Sequence, residues 1–167
     1  MKIVVVHNSI FGNGIIAAKE MTELFNPEEV EIYHNRDISP KELAQKDIDI
    51  LIIGSAVRKF VLSWESQRWI RSFAKHLKAN GKTIPFVLGY VTHMREFENI
   101  YKKFDIFSNL ITSIENFDRI YPETITLQVE KIEGPFKPEA FNKLANLKVK
   151  IIEISKELDT NLMVVDK

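Results

Sequence analysis

The sequence predicts an α/β fold, a three-layer sandwich in which a doubly wound, five-stranded parallel sheet carries helices on both faces. Short apolar runs alternate with segments of helical periodicity along the whole chain. The first run, Ile3 to Val6, shows no alternation of apolar and polar residues and so reads as a strand buried on both sides. The stretches between runs are long enough for the right-handed helical crossovers that parallel strands require.

The elements follow in order. After the first strand, Ala17, Ala18, Met21, Leu24 and Phe25 recur at helical spacing, and Asn26-Pro27 ends that helix because the residue before proline disfavours the α region. Val30 to Tyr33 forms a short second strand. Ser39-Pro40-Lys41-Glu42 has capping-box spacing with proline at the first helical position, which predicts a short helix to about Gln45. The third strand is Ile48 to Gly54, followed by a long connection and a helix with the stripe Trp69, Ile70, Phe73 and Leu77, stopped at Asn80-Gly81. "TIPFVLGYV" is the fourth strand, and Met94, Phe97, Tyr101 and Phe104 stripe the helix after it. No course is assigned through "DIFSNLITSIENF". Thr124 to Val129 supplies the fifth strand, and Pro138 starts a last helix striped by Phe141, Leu144, Leu147, Ile151, Ile154 and Leu158, with the tail from Asp159 unassigned.

Composition narrows the chemistry. The 167 residues suit one domain, residues 1–167, and no repeat, linker or low-complexity segment divides them. There is no cysteine, which excludes disulfides, thiolate metal sites and cysteine nucleophiles and is compatible with a reducing cytoplasm. Lys plus Arg and Asp plus Glu both number 23, so no net field attracts nucleic acid, and none is expected as a partner. "MKIVVV" is too short for a secretory signal, and no apolar run approaches the ~20 residues of a membrane span. A cytoplasmic protein without a transmembrane segment is the expectation. His7, His34, His76 and His93 have no metal-ligand spacing, and neither a paired acid and base nor a nucleophile elbow is present.

In a doubly wound sheet, ligands bind beyond the carboxyl ends of the strands, where the strand order reverses. That brings together His7 to Gly14, Ser55 to Ser63, and Tyr90 to His93. The first of these loops runs into a helix N-terminus, whose free N–H groups and dipole favour an anion, and Asn8, Ser9 and Asn13 add side-chain donors. Gly12-x-Gly14-x-x-Ala17 also fits a dinucleotide fingerprint, but "HNSIF" separates its first glycine from the strand. A phosphoryl-accepting receiver domain would need acidic residues where His7-Asn8 and Gly54-Ser55 stand.

"NSIFGNG" resembles the phosphate loop of the flavodoxins, S/T-x-T-G-N-T, with Ser9, Gly12 and Asn13 in register and with Phe11 and Gly14 in place of the two threonines. "DILIIGSAV" and "FVLGYV" are similar to that family's third and fourth strands. Within the superfamily, "GSAVRKFVLSWESQRWIRSFAKHL" and "EGPFKPEAFNKLANLKVKII" are more similar to the protoporphyrinogen-oxidase-like flavodoxin domains than to the acidic electron carriers. The resemblance implies strand order 2-1-3-4-5 and an FMN site formed by Asn8, Ser9, Phe11, Gly12, Asn13, Gly14, Ser55, Ala56, Val57, Arg58, Tyr90, Val91 and His93.

In that site Tyr90 is expected to stack on the flavin ring, His93 to meet its polar edge, and Arg58 to balance charge on the reduced flavin. Trp64 and Phe60 are the next candidates for stacking. Arg58 and Lys59, followed by Phe60, Val61, Leu62 and Trp64, would form a lid or a partner surface. The implied function is an FMN-binding oxidoreductase or electron-transfer flavoprotein with a small-molecule or protein redox partner. Catalytic residues and oligomeric state are left open. The alternatives are a flavodoxin-like module that has lost FMN and serves interaction or regulation, which Phe11 and Gly14 motivate, and an NAD(P)-binding domain.

Overall fold

The computed structural model describes residues 1–58, 61–94, 106–121 and 124–165. Its elements are β1 (Ile3–His7), α1 (Asn13–Thr22), β2 (Val30–His34), α2 (Pro40–Leu43), β3 (Ile50–Arg58), β4 (Val61–Leu62), α3 (Trp64–Asn80), β5 (Ile84–His93), α4 (Ile106–Thr112), β6 (Phe117–Ile120), β7 (Ile125–Gln128) and α5 (Pro138–Val165). The sheet runs β2-β1-β3-β5-β6, all parallel along this path. This is the doubly wound order expected from the sequence, with β5 as its fourth strand.

The fifth position is divided between two segments. β6 pairs with the first half of β5, Ile84 to Val87, and β7 pairs with the second half, Tyr90 to His93. The sequence predicts β7 and not β6, which lies in and just beyond the stretch left unassigned. β3 also runs four residues past its expected end at Gly54 and turns into an antiparallel hairpin, pairing Val57 with Leu62 and Arg58 with Val61.

Strand alternation sorts the core into two halves. Val4, Val6, Leu51 and Ile53 face Trp69, Ile70, Phe73 and Leu77 of α3, with Ile38 and Leu43 near α2. Ile3, Val5, Ile50 and Ile52 face Ala17, Ala18 and Met21 of α1 and Leu144, Leu147, Ile151 and Ile154 of α5. The small Ala17 and Ala18 let α1 sit close to the sheet. β2 is half-buried throughout, as an edge strand should be, and Glu31 on it is held by Lys2 at 2.8 Å and Lys46 at 3.1 Å.

Local signals place the helix ends. Ser39 caps α2 by accepting the Glu42 N–H at 3.1 Å, and α3 stops at Gly81 in the left-handed conformation. Two predicted core positions are corrected: Leu24 is 65% exposed because α1 has already ended at Thr22, and Phe141 is 47% exposed because Ala140 takes the buried position in the first turn of α5. Phe141 instead meets Phe136 edge-on at 6.1 Å. The predicted stripe at Phe97, Tyr101 and Phe104 lies outside the described residues, and Met94 is an exposed bend after β5. Among the described residues, no helix is long and apolar enough to cross a membrane.

Candidate functional site

β1 ends at His7, between the ends of β2 and β3, and the chain then turns through Asn8 to Gly12 into α1. Gly12 is the N-cap, at φ 82°, a left-handed conformation that favours glycine. It offers no side-chain cap. The first helical bond is from Ile16 N–H to the Gly12 carbonyl at 3.1 Å, so Asn13, Gly14 and Ile15 present amides without helical partners. A Cβ built on Gly12 would meet nothing within 4 Å, so open space lies beside the helix start.

His7 props this loop from below. Its ring is buried, and a Cβ on Gly14 would come within 2.7 Å of Nδ1, so Gly14 stands where a threonine would collide with the imidazole. Nδ1 accepts the Ser9 N–H at 3.4 Å, and the His34 ring meets His7 edge-on at 5.3 Å. Burial, aided by His34 and opposed by Asp37, lowers the His7 pKa to about 4, so the ring is neutral at neutral pH. A cavity lined by His7, Asn8, Asn35 and Ser66 lies behind it, and the buried Oδ1 of Asn35 has no partner among the described residues.

The predicted donors are deployed unequally. Ser9 is half-buried, and Phe11 and its neighbour Ile10 are about half exposed at the rim, at 48% and 54%. Asn8 is turned away from the helix N-terminus: its Oδ1 accepts the Ala56 N–H at 2.8 Å and its Nδ2 donates to Ser63 Oγ. Asn13 is buried and donates to the Ile132 carbonyl at 3.1 Å, which fastens the loop before α5 to the start of α1.

The second segment is strand and hairpin rather than open loop. Ser55 is buried with its hydroxyl 3.0 Å from Ser66 Oγ, Ala56 and Val57 are half-buried, and Arg58 closes β3 opposite Val61. Lys59 and Phe60 lie outside the described residues. In the third segment, Tyr90 and Val91 are held in β5 and face opposite halves of the core. Tyr90 is fully buried and its hydroxyl donates to the Gly14 carbonyl at 3.0 Å, so neither ring face is available to a ligand. Burial pushes its phenol well above the usual range. His93, half-buried, is the last residue of β5 and pairs with Gln128. Trp64, 69% exposed at the start of α3, carries the Arg68 guanidinium 5.4 Å above its ring.

No protein-family model matches the chain, and no curated protein matches it in sequence. Solved structures do match. Oxidised flavodoxin 1 from Bacillus cereus superposes with a TM-score of 0.64 at 16% identity, over 92% of this chain and 98% of that one. The fold is that of the flavodoxins. A flavodoxin from the domain Archaea gives 0.64 at 13% identity, over 93% and 99%. Rubredoxin:oxygen oxidoreductase from Desulfovibrio gigas gives 0.66 at 15% identity over 94% of this chain but only 37% of its own length.

Within the flavodoxin fold, sequence reasoning missed His7 as the prop of the first loop and Ser63 and Ser66 as its link to α3. The signal for the serines was present: Ser63-x-x-Ser66 has N-cap spacing, and Ser63 Oγ accepts the Ser66 N–H at 3.1 Å. Nothing local marks His7, whose role depends on Gly14 being packed against it. Among the described residues, no group of histidine and carboxylate side chains could hold a metal.

Proposed function

We propose that this edge of the sheet binds FMN and that the protein is a redox flavoprotein. The observation that carries the reading is the uncapped start of α1: a left-handed Gly12 beside open space, with the amides of Asn13, Gly14 and Ile15 at the positive end of the helix dipole, in a flavodoxin topology. Together with the Ser9 hydroxyl, these donors suit a phosphate monoester without a cationic side chain. They take over the work of the threonine hydroxyls absent at Phe11 and Gly14.

The ring would lie over the ends of β3 and β5, bordered by the backbone from Ala56 to Arg58 and by His93. Tyr90 is too deep to stack, and the exposed Trp64 takes that role. Val91 and Ser55 reach the ligand through backbone atoms, since the Val91 side chain is in the core and the Ser55 hydroxyl is occupied by Ser66. FMN, when bound, supplies reversible electron and hydride transfer. The protein's share is to hold the phosphate, orient the ring and exclude water from one side of it.

Two sequence features support a likeness to protoporphyrinogen-oxidase-like flavodoxin domains: the Gly54-Ser55-Ala56-Val57-Arg58 segment after the third strand, and Gly134 seven residues before Phe141 ahead of the last helix. They favour dehydrogenation of a small molecule over shuttling electrons between proteins. Titrating the ligand-free protein with FMN and with riboflavin tests the reading. FMN is expected to bind more tightly by at least an order of magnitude, because only FMN engages the first loop. Binding of neither flavin would overturn it.

A further inference from the structure

Asn8 in the first loop hydrogen-bonds the β3–β4 hairpin at both ends. Its Oδ1 accepts the Ala56 N–H at 2.8 Å where the hairpin begins, and its Nδ2 donates to Ser63 Oγ where it finishes. The two ends are also tied directly by Ser63 N–H to the Ala56 carbonyl at 3.3 Å. Ser63 Oγ in turn caps α3 through the Ser66 N–H at 3.1 Å and lies 3.0 Å from Ser66 Oγ, which is 3.0 Å from Ser55 Oγ.

Three of these groups are sheltered, Asn8 at 5% exposed, Ser55 at 2% and Ser66 at 4%, while Ala56 and Ser63 are half-buried. A buried amide that has both its oxygen and its nitrogen satisfied by the same hairpin holds a single orientation, because any rotation would strand a polar atom away from water. The family resemblance placed Asn8 among the ligand donors. Its geometry spends it elsewhere.

We propose that Asn8 is a positioning residue that latches the β3–β4 hairpin to the phosphate loop, so that it sets the place of the flavin ring rather than binding the phosphate. This rests on the flavin site proposed above and adds a specific division of labour to it. The ring-bordering backbone from Ala56 to Arg58 is held in register with the first loop by one side chain. Losing that side chain therefore harms the ring half of the site, whereas losing a phosphate donor harms FMN alone.

Asn8→Leu, with the same branched outline but unable to hydrogen-bond, separates the two roles. Its affinities for FMN and riboflavin are expected to fall together, by about ten-fold each, with their ratio unchanged. Asn8→Asp keeps an acceptor for Ala56 and can accept the Ser63 O–H, so it should restore riboflavin affinity while the added charge behind the phosphate loop weakens FMN. A second readout needs no flavin: in ligand-free Asn8→Leu, amide hydrogen exchange at Ala56 to Arg58 should quicken by at least about ten-fold, with α5 amides little changed.

Loss of FMN affinity with riboflavin affinity intact in Asn8→Leu would overturn the proposal in favour of a phosphate donor. Unchanged exchange at the hairpin would also overturn it. If the wild-type protein binds neither flavin, the flavin reading falls, and the exchange experiment alone still decides whether Asn8 is the latch.

Discussion

The Tyr90 hydroxyl donates to the carbonyl of Gly14 at 3.0 Å and so ties β5 to the first turn of α1 from inside the core. The ring lies against Gly54 of β3, where a Cβ would overlap its Cζ and hydroxyl oxygen. Tyr90→Phe should cost about 1 kcal/mol, the worth of one buried hydrogen bond, and Gly54→Ala should cost more, by overpacking. Urea unfolding measures both. Riboflavin affinity in Tyr90→Phe should stay within about two-fold of wild type, since the ring is not in the ligand site.

Gly12 and Gly14 serve different ends, and alanine distinguishes them. At Gly14 the new Cβ meets His7 Nδ1 at 2.7 Å and Ser9 Cβ at 2.9 Å, so Gly14→Ala should destabilise the domain by about 1–3 kcal/mol. At Gly12 the space is open, and only the left-handed backbone resists substitution. Gly12→Ala should therefore cost about 1 kcal/mol of stability, whereas Gly12→Val should abolish FMN binding while circular dichroism still reports a folded domain. Riboflavin affinity should survive in the second variant.

Trp64, exposed and carrying Arg68 on one face, is the aromatic group proposed to stack on the flavin. Trp64→Ala should weaken FMN and riboflavin alike by several-fold, the ~1 kcal/mol of an aromatic stack, and should brighten the flavin fluorescence of whatever complex remains. Flavin fluorescence titration reads both quantities. Unaltered fluorescence and affinity would place the ring elsewhere.

Acid should loosen the domain through His7. Its pKa is lowered by burial from 6.5 to about 4, so between these values the unfolded chain binds the proton that the native state refuses. The stabilisation is complete above pH 6.5 and is lost as pH falls towards 4, up to about 3 kcal/mol at ~1.4 kcal/mol per pH unit. Burial of Glu31 opposes its charge, but hydrogen bonds from Lys2, Lys46 and Tyr33 prevail and lower its pKa from 4.5 to about 2, so its contribution is lost further down, between those values. Urea unfolding across pH 7 to 4.5 should show this slope in the wild type and a flatter one in His7→Gln.

The sequence by itself determined the parts that depend on neighbours along the chain. Capping at Ser39 and Pro40, the stop at Gly81, the start of α5 at Pro138 and the buried run of β1 all rest on spacings of a few residues, and each is in place. So does the glycine-bearing turn from β1 into α1, because a strand, a glycine and a helix in succession suffice to describe it. The parallel sheet with helices on both faces followed from the alternation of strand and helix with the handedness of crossovers, and its order from the resemblance to the flavodoxins.

Tertiary structure decided which way side chains face and which distant groups they meet. From the sequence Tyr90 stands at the end of the fourth strand, one residue before the apolar run stops at Val91, where it could face a ligand. β7, arriving from Ile125 to Gln128, pairs with Tyr90 to His93 and keeps them in the ladder, where strand alternation turns Tyr90 into the core. β3 likewise continues past Gly54 because β5 lies beside Ser55 and Ala56 and β4 folds back on Val57 and Arg58. Asn8 meets Ser63 across 55 residues, and no periodicity records a contact at that separation. Register and packing set such partners only once the whole sheet has formed, since a buried polar group takes whichever partner the assembled fold brings to it.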